Sequence, residues 1–149
     1  MLLTHLDCLN LAHWLHNTAS KDGLGPICFS IVDAQGELLW FERMDRAPAR
    51  AIRISMAKAY TAVRMNDSTM AFKQRLENEK LSCSDFMDER FTALPGGSPL
   101  ISSNGSIAGA IGISGRHTDS DQQLADATRG GGKAALVDDD GEGLEVFHW

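Results

Sequence analysis

The stretch ALPGGSPLISSNGSIAGAIGISG, residues 93–115, gathers six of the chain's fourteen glycines into twenty-three positions. Glycine at this density either cradles a phosphate or serves a sheet, and the neighbours decide which. A phosphate loop needs G-x-x-x-x-G-K-[ST] with its lysine, or G-x-G-x-x-G opening a helix. Here Gly109, Gly112 and Gly115 are spaced by three, no lysine follows them, and isoleucines alternate through the run. The stretch is therefore read as two strands around Asn104-Gly105, a pair in which both residues tolerate the positive φ of a primed hairpin turn. On the second strand Ile107, Gly109, Ile111 and Ile113 are expected on one face and Ala108, Ala110, Gly112 and Ser114 on the other. That second face is almost bare of side chains. It lets a helix, a ligand or a neighbouring subunit approach the backbone closely, and a packed helix is the simplest occupant.

The remaining elements follow from periodicity. From about Thr4 to Ser20 the pattern is helical, with Cys8, Leu11, Ala12, Leu15 and Ala19 on a core stripe. A second flank carries Leu2, His5, Leu6, Leu9, His13 and His16, three of the chain's five histidines. ICFSIVD reads as a buried strand, Asp33-Ala34-Gln35-Gly36 as a turn with Asp33 in an Asx-type hydrogen bond, and ELLWFERM as the hairpin partner. A helix over about 51–65 presents Ile52, Met56, Ala59 and Val63 on one side, with Lys58 and Thr61 elsewhere on its surface. Asp67 or Ser68 caps a helix to about Lys80, and Thr118 or Asp119 caps a last one that Gly130 to Gly132 should stop. Helix, hairpin, helices, hairpin, helix is an α+β order, with an antiparallel sheet covered by helices.

The chain's 149 residues fit one domain, expected over 1–129, followed by a glycine-rich and acidic tail over 130–149 that should be mobile or form contacts between chains. A net charge of -6 argues against nucleic acid as a partner, because phosphate binding needs a basic field. Neither a long apolar run nor a secretory leader pattern is present, so no membrane association and a cytoplasmic location are expected. Cys8, Cys28 and Cys83 are odd in number, widely separated and never C-x-x-C, which signals neither a disulfide framework nor a zinc site. Cys8 and Cys28 lie in apolar patterns; Cys83 is expected to be the more exposed.

Four segments in order, SIVDAQGELLWFERMD, KAYTA, LPGGSPL and NGSIAGAIGISG followed by DQQLADA, resemble the GlcG/HbpS family over about residues 4–129. That family includes the C-terminal domain of PduO-type corrinoid adenosyltransferases, and a chain of this size is similar to short proteins beside coenzyme-B12-dependent diol and glycerol dehydratases. The resemblance implies a profilin-like α/β/α fold with a five-stranded antiparallel sheet, and assembly into dimers or larger rings such as octamers. It also implies binding of heme, a related tetrapyrrole or corrinoid, or iron in at least some members. Fold is better fixed by such membership than chemistry.

Two sets of residues are candidates. A histidine among leucines offers an axial bond and an apolar wall for a porphyrin, and His13 and His16 fit that description, His13 first. The resemblance places a heme ligand in this N-terminal region; the competing reading makes these histidines surface or interface residues. The second set gathers the shared motifs: Arg43, Asp45, Lys58, Thr61, Pro95, Gly96, Gly97 and Asp121. There Gly96-Gly97 could offer N–H groups to a carboxylate, with Lys58 or Arg43 supplying charge; alternatively the charges are paired or solvated and Pro-Gly-Gly is a turn. The leading expectation is a non-enzymatic, oligomeric tetrapyrrole-binding protein accessory to B12-dependent metabolism. An assembly module without cofactor, or an enzyme using Lys58 and Asp45, would account for the same residues.

Overall fold

A computed structural model describes residues 2–135, with side chains to Thr128. The expected tail beyond 135, with His148, lies outside the described residues. Helix α1 spans His5–Lys21, β1 Cys28–Asp33, β2 Leu38–Arg43, α2 Arg50–Met65, α3 Thr69–Glu79, β3 Gly97–Ile101, β4 Ile107–Ser114 and α4 Thr118–Ala135. The strands form one antiparallel sheet in the order β2-β1-β4-β3. Two hairpins are thus joined through β1 and β4, their central strands.

Among the described residues the sheet has four strands, not the five implied by the resemblance. The segment between α3 and β3 takes another course. It forms a 3-10 turn at Cys83–Phe86 and packs Phe86 and Phe91 on Phe72, with ring centroids 5.2 and 5.7 Å away, rather than pairing at a sheet edge. No helix among the described residues is long and apolar enough to cross a membrane.

The alternation of β1 and β4 builds the layers. Phe29, Ile31, Ile111 and Ile113 join Leu11, Leu15, Leu124 and Ala125 in a core beneath α1 and α4. Their neighbours Val32 and Ala110 meet Ala59, Ala62 and Val63 of α2 on the opposite face. The bare face of β4 is therefore covered by α2. At Gly112 the approach is so close that a Cβ would collide with the Ser55 carbonyl and the Ala59 amide of that helix. Ser30 Oγ and Ser55 Oγ, 2.8 Å apart, close the same contact.

Several sequence expectations need correction. A bulge lies between Leu100 and Ile101 of β3, and at this end of the β3–β4 pair Ile107 packs with Val32 and Ala110 while Ala108 joins the α1 core. The hairpin at Asn104-Gly105 is not a primed turn. Only Gly105 has positive φ, at 85°, and Gly105 N–H donates to Ser102 O while Ser102 and Ser106 pair, giving a three-residue loop closed by a left-handed glycine. The first hairpin repeats that design with Gly36 at φ 88°, and Asp33 Oδ1 accepts from Gln35 N and Glu37 N as expected. Lys58 and Thr61 are buried rather than on the helix surface, at 1% and 0% exposure. α4 runs through Gly130 to Gly132 instead of stopping there, since glycine weakens a helix without forbidding it.

The helix starts are locally encoded. Thr4 accepts from Asp7 N, and Asp7 Oδ2 accepts from Thr4 N at 2.8 Å, a capping box that seats α1. Ser68, rather than Asp67, caps α3 through Ala71 N. Cys8 and Cys28 are buried and Cys83 is half-exposed. Burial, reinforced by Asp7, pushes the Cys8 thiol up to about 11, which leaves it an inert core residue.

Candidate functional site

The N-terminal histidines lie on the outer flank of α1, where the core stripe leaves them no place inside. Leu11, Leu15, Cys8, Ala12 and Ala19 turn inward, while Leu2, His5, Leu6 and His16 are exposed and Leu9 and His13 half-buried. The edge strand β2 borders this flank. His5 stands against Trp40 with ring centroids 5.4 Å apart and planes tilted by 49°. Trp40 Nε1 donates to Glu42 Oε1 at 3.2 Å, and the other oxygen of Glu42 is 3.9 Å from His16 Nδ1.

Each candidate histidine therefore has one ring nitrogen near a polar neighbour. His13 Nε2 is 3.1 Å from Asn17 Nδ2, a nitrogen that only donates, so in this arrangement Nε2 carries the lone pair. For His16 the Glu42 carboxylate lies on the Nδ1 side at 3.9 Å, an ion-pair distance rather than a hydrogen bond. An imidazole pair one turn apart on an outer helix flank, one half-buried and one exposed and bounded by leucines and a tryptophan, can ligate an iron held in an apolar disc. Sequence periodicity found the histidines. It missed Trp40 and Glu42, because the pairing of α1 with β2 is tertiary.

The second set divides. Lys58, Gly96, Gly97 and Asp121 meet where α2, β3, β4 and α4 converge. Lys58 Nζ donates to Ile113 O at 2.8 Å and to Asp121 Oδ2 at 3.1 Å, with both side chains 1% exposed. Burial lowers the Lys58 pKa against the pull of Asp121, and burial raises that of Asp121 against the pull of Lys58. Asp121 Oδ1 also accepts from Arg116 N.

Gly96 and Gly97 spend their N–H groups within the chain. Gly96 N donates to Gln122 Oε1 at 2.7 Å and Gly97 N to Thr69 Oγ1 at 2.8 Å, so neither is turned toward a guest. Gln122, missed in the sequence although it adjoins Asp121, also donates to Gly97 O and to Asp126. Pro95 is buried beside them, and Thr61 Oγ1 ties α2 to the following loop by accepting from Thr92 N at 3.0 Å. Arg43 and Asp45 are not brought to this cluster. Arg43 donates twice to Ala47 O, Asp45 is exposed, and the acid paired with Lys58 is Asp121 rather than Asp45. The cluster is a buried strut beneath a small cavity of about 130 Å³.

A family model described as haem degrading protein HbpS-like matches residues 3–129. An uncharacterized 15.0 kDa protein in the dhaT-dhaS intergenic region of Citrobacter freundii is 33% identical over 103 residues, which span 68% of this chain and 72% of that protein. Among solved structures, Klebsiella pneumoniae protein ORFY aligns with a TM-score of 0.78 at 27% identity, covering 89% of this chain and 91% of that one. A double mutant of Streptomyces reticuli HbpS aligns with a TM-score of 0.77 at 28% identity, covering 91% and 88%. The structure of a PduOC:heme complex aligns with a TM-score of 0.78 at 24% identity over 91% and 96%, a likeness of fold.

Proposed function

The chain belongs to the HbpS-like family, and on that premise we propose that it binds heme or a related tetrapyrrole or corrinoid on the outer flank of α1, with His13 as the first axial ligand and His16 as the second candidate. The observation that carries this reading is the pair of half-buried His13 and exposed His16 beside Leu6, Leu9 and the β2 edge with Trp40, in a chain whose family description is haem-related. His13 Nε2, once released from the Asn17 amide, and His16 Nε2 supply ligation, the leucines and Trp40 supply an apolar wall, and Glu42 lies on the Nδ1 side of His16. A flat tetrapyrrole on an open helix flank leaves one face to water. Self-association of the chain, as a dimer or a larger ring such as an octamer, would cover it. The reading extends to a cytoplasmic accessory role in B12-dependent diol or glycerol metabolism, supported by the Citrobacter freundii relative from the dhaT-dhaS region.

A second reading has support of its own. Leu2 and Leu6 of the flank are 81% and 44% exposed, and Leu39 of the β2 edge 39%, an apolar surface suited to an assembly module without cofactor.

An absorbance titration with hemin, run in parallel with cobalamin, separates the two. Tetrapyrrole binding predicts a saturable Soret shift that His13→Ala weakens or alters while the sizing profile is unchanged. Unchanged spectra of bound heme in both His13→Ala and His16→Ala would remove the helical site. Smaller assemblies in those variants, with no saturable change on adding either tetrapyrrole, would assign the flank to subunit contact.

A further inference from the structure

On the opposite face of the sheet from the histidines, the turn of the first hairpin, α2 and the segment around Arg90 enclose a cleft of about 360 Å³. Its apolar lining comes from Val32, Leu38, Met56, Ala57, Phe91 and the ring of Tyr60. A volume of this size with such walls matches sites that take small organic molecules. The turn reaches it because Gly36, at φ 88°, has no Cβ and so packs directly on the Tyr60 ring.

The charged groups of the cleft are arranged unequally. Arg90 lies with its guanidinium carbon 3.7 Å from the centroid of Tyr60, and one N–H reaches Gly36 O at 3.4 Å. Tyr60 OH donates to Asp88 Oδ2, and Asp88 Oδ1 accepts from Arg90 N at 3.0 Å. These contacts hold the guanidinium in place before any ligand arrives, with no side-chain ion pair among the described residues. Arg53, two turns before Tyr60 on the same side of α2, also reaches the cleft without an ion-pair partner among those residues. Glu37 and Glu89 stand exposed at the rim, where they repel a polyanion more strongly than a monoanion.

We propose that this cleft is a second binding site, independent of the α1 flank, for a small organic monocarboxylate with an apolar or aromatic body. The body lies on Val32, Met56 and Phe91, and the carboxylate is received by the preorganised Arg90 and by Arg53. Arginine fits this task because its planar fork matches a carboxylate while its face remains stacked on tyrosine.

Phenylbutyrate is the probe, with phenylbutanol as its uncharged counterpart and phenylethylammonium as a cation, each titrated into the full chain by calorimetry. Saturable binding of phenylbutyrate is expected, weakened about tenfold in Arg53→Gln and in Arg90→Gln, the effect of losing a charge-assisted hydrogen bond. Arg53→Gln leaves the melting temperature unchanged, because Arg53 has no ion-pair partner to lose among the described residues, and keeps the test valid if Arg90→Gln perturbs its loop. His13→Ala leaves phenylbutyrate affinity intact. The proposal is overturned by absence of saturable binding, by equal affinity for acid and alcohol, or by unchanged affinity in both arginine variants. Tighter binding of phenylethylammonium would assign the cleft to Glu37 and Glu89 instead. Displacement of phenylbutyrate by hemin would remove its standing as a separate site.

Discussion

Lys58 shows how a residue with every mark of a functional group becomes a structural one. Its ammonium is fully enclosed, with Ile113 O and Asp121 as acceptors, and the energetic weight of such a pair lies in breaking it. Lys58→Met should lower stability in urea by about 3–5 kcal/mol, because Asp121 is left buried with an uncompensated charge. Adding Asp121→Asn should return part of that loss, since the asparagine oxygen keeps the Arg116 N–H bond without the charge. A loss in the double variant equal to the sum of the losses in Lys58→Met and Asp121→Asn alone would mean that the two side chains are not coupled. The lysine could be read in KAYTA as a charge of interest, but its burial could not. Burial followed from Gly112, whose missing Cβ lets α2 descend onto β4.

Among the elements, the seam between the end of α1 and the turn into α4 is held by one side chain. Arg116 Nη1 and Nη2 donate to the two oxygens of Asp22 at 2.8 Å each, Nε donates to Gly25 O, and Nη2 also reaches Ala19 O. Burial alone would raise the Asp22 carboxyl, but the Arg116 hydrogen bonds and charge, with Leu24 N–H, hold it below its ordinary value near 3.8. A carboxyl depressed in the folded state binds its proton less readily there than in the unfolded chain. Its contribution is therefore complete above about pH 4 and is lost as pH falls through the lower folded value. Stability measured in urea across the acid range should fall less steeply in Asp22→Asn than in the wild type. A superimposable acid limb would show that Asp22 does not report this seam. The elements themselves were readable from periodicity and caps, whereas the seam joins residues 94 apart and left no local signal.

At the scale of the molecule, the sheet separates two surfaces of different chemistry. α1 carries imidazoles among leucines on one face, and α2 with Tyr60, Arg53 and Arg90 forms a cleft on the other. Between them lie the close-packed rows of β1 and β4. No residue is shared by the two sites, so substitutions in them should act independently. In the double variant His13→Ala/Arg53→Gln, the loss of hemin affinity should equal that of His13→Ala alone, and the loss of phenylbutyrate affinity that of Arg53→Gln alone. A deviation beyond about 0.5 kcal/mol would reveal coupling through the sheet.

The sequence by itself determined the order of elements, the two glycine-closed hairpins, the inward stripe of α1 and the bare face of β4. Each rests on a period of two or 3.6 residues or on a local hydrogen bond, and such signals are written along the chain. The histidine flank was legible for the same reason. Tertiary structure alone decided that the helix packed on the bare face would be α2, that Lys58 would pair with Asp121 and not Asp45, and that Gly96 and Gly97 would turn their N–H groups inward. It also brought Arg90 onto Tyr60. Those outcomes depend on how closely two backbones approach and on which distant side chain fills the gap between them, quantities that no periodicity along one strand or helix contains.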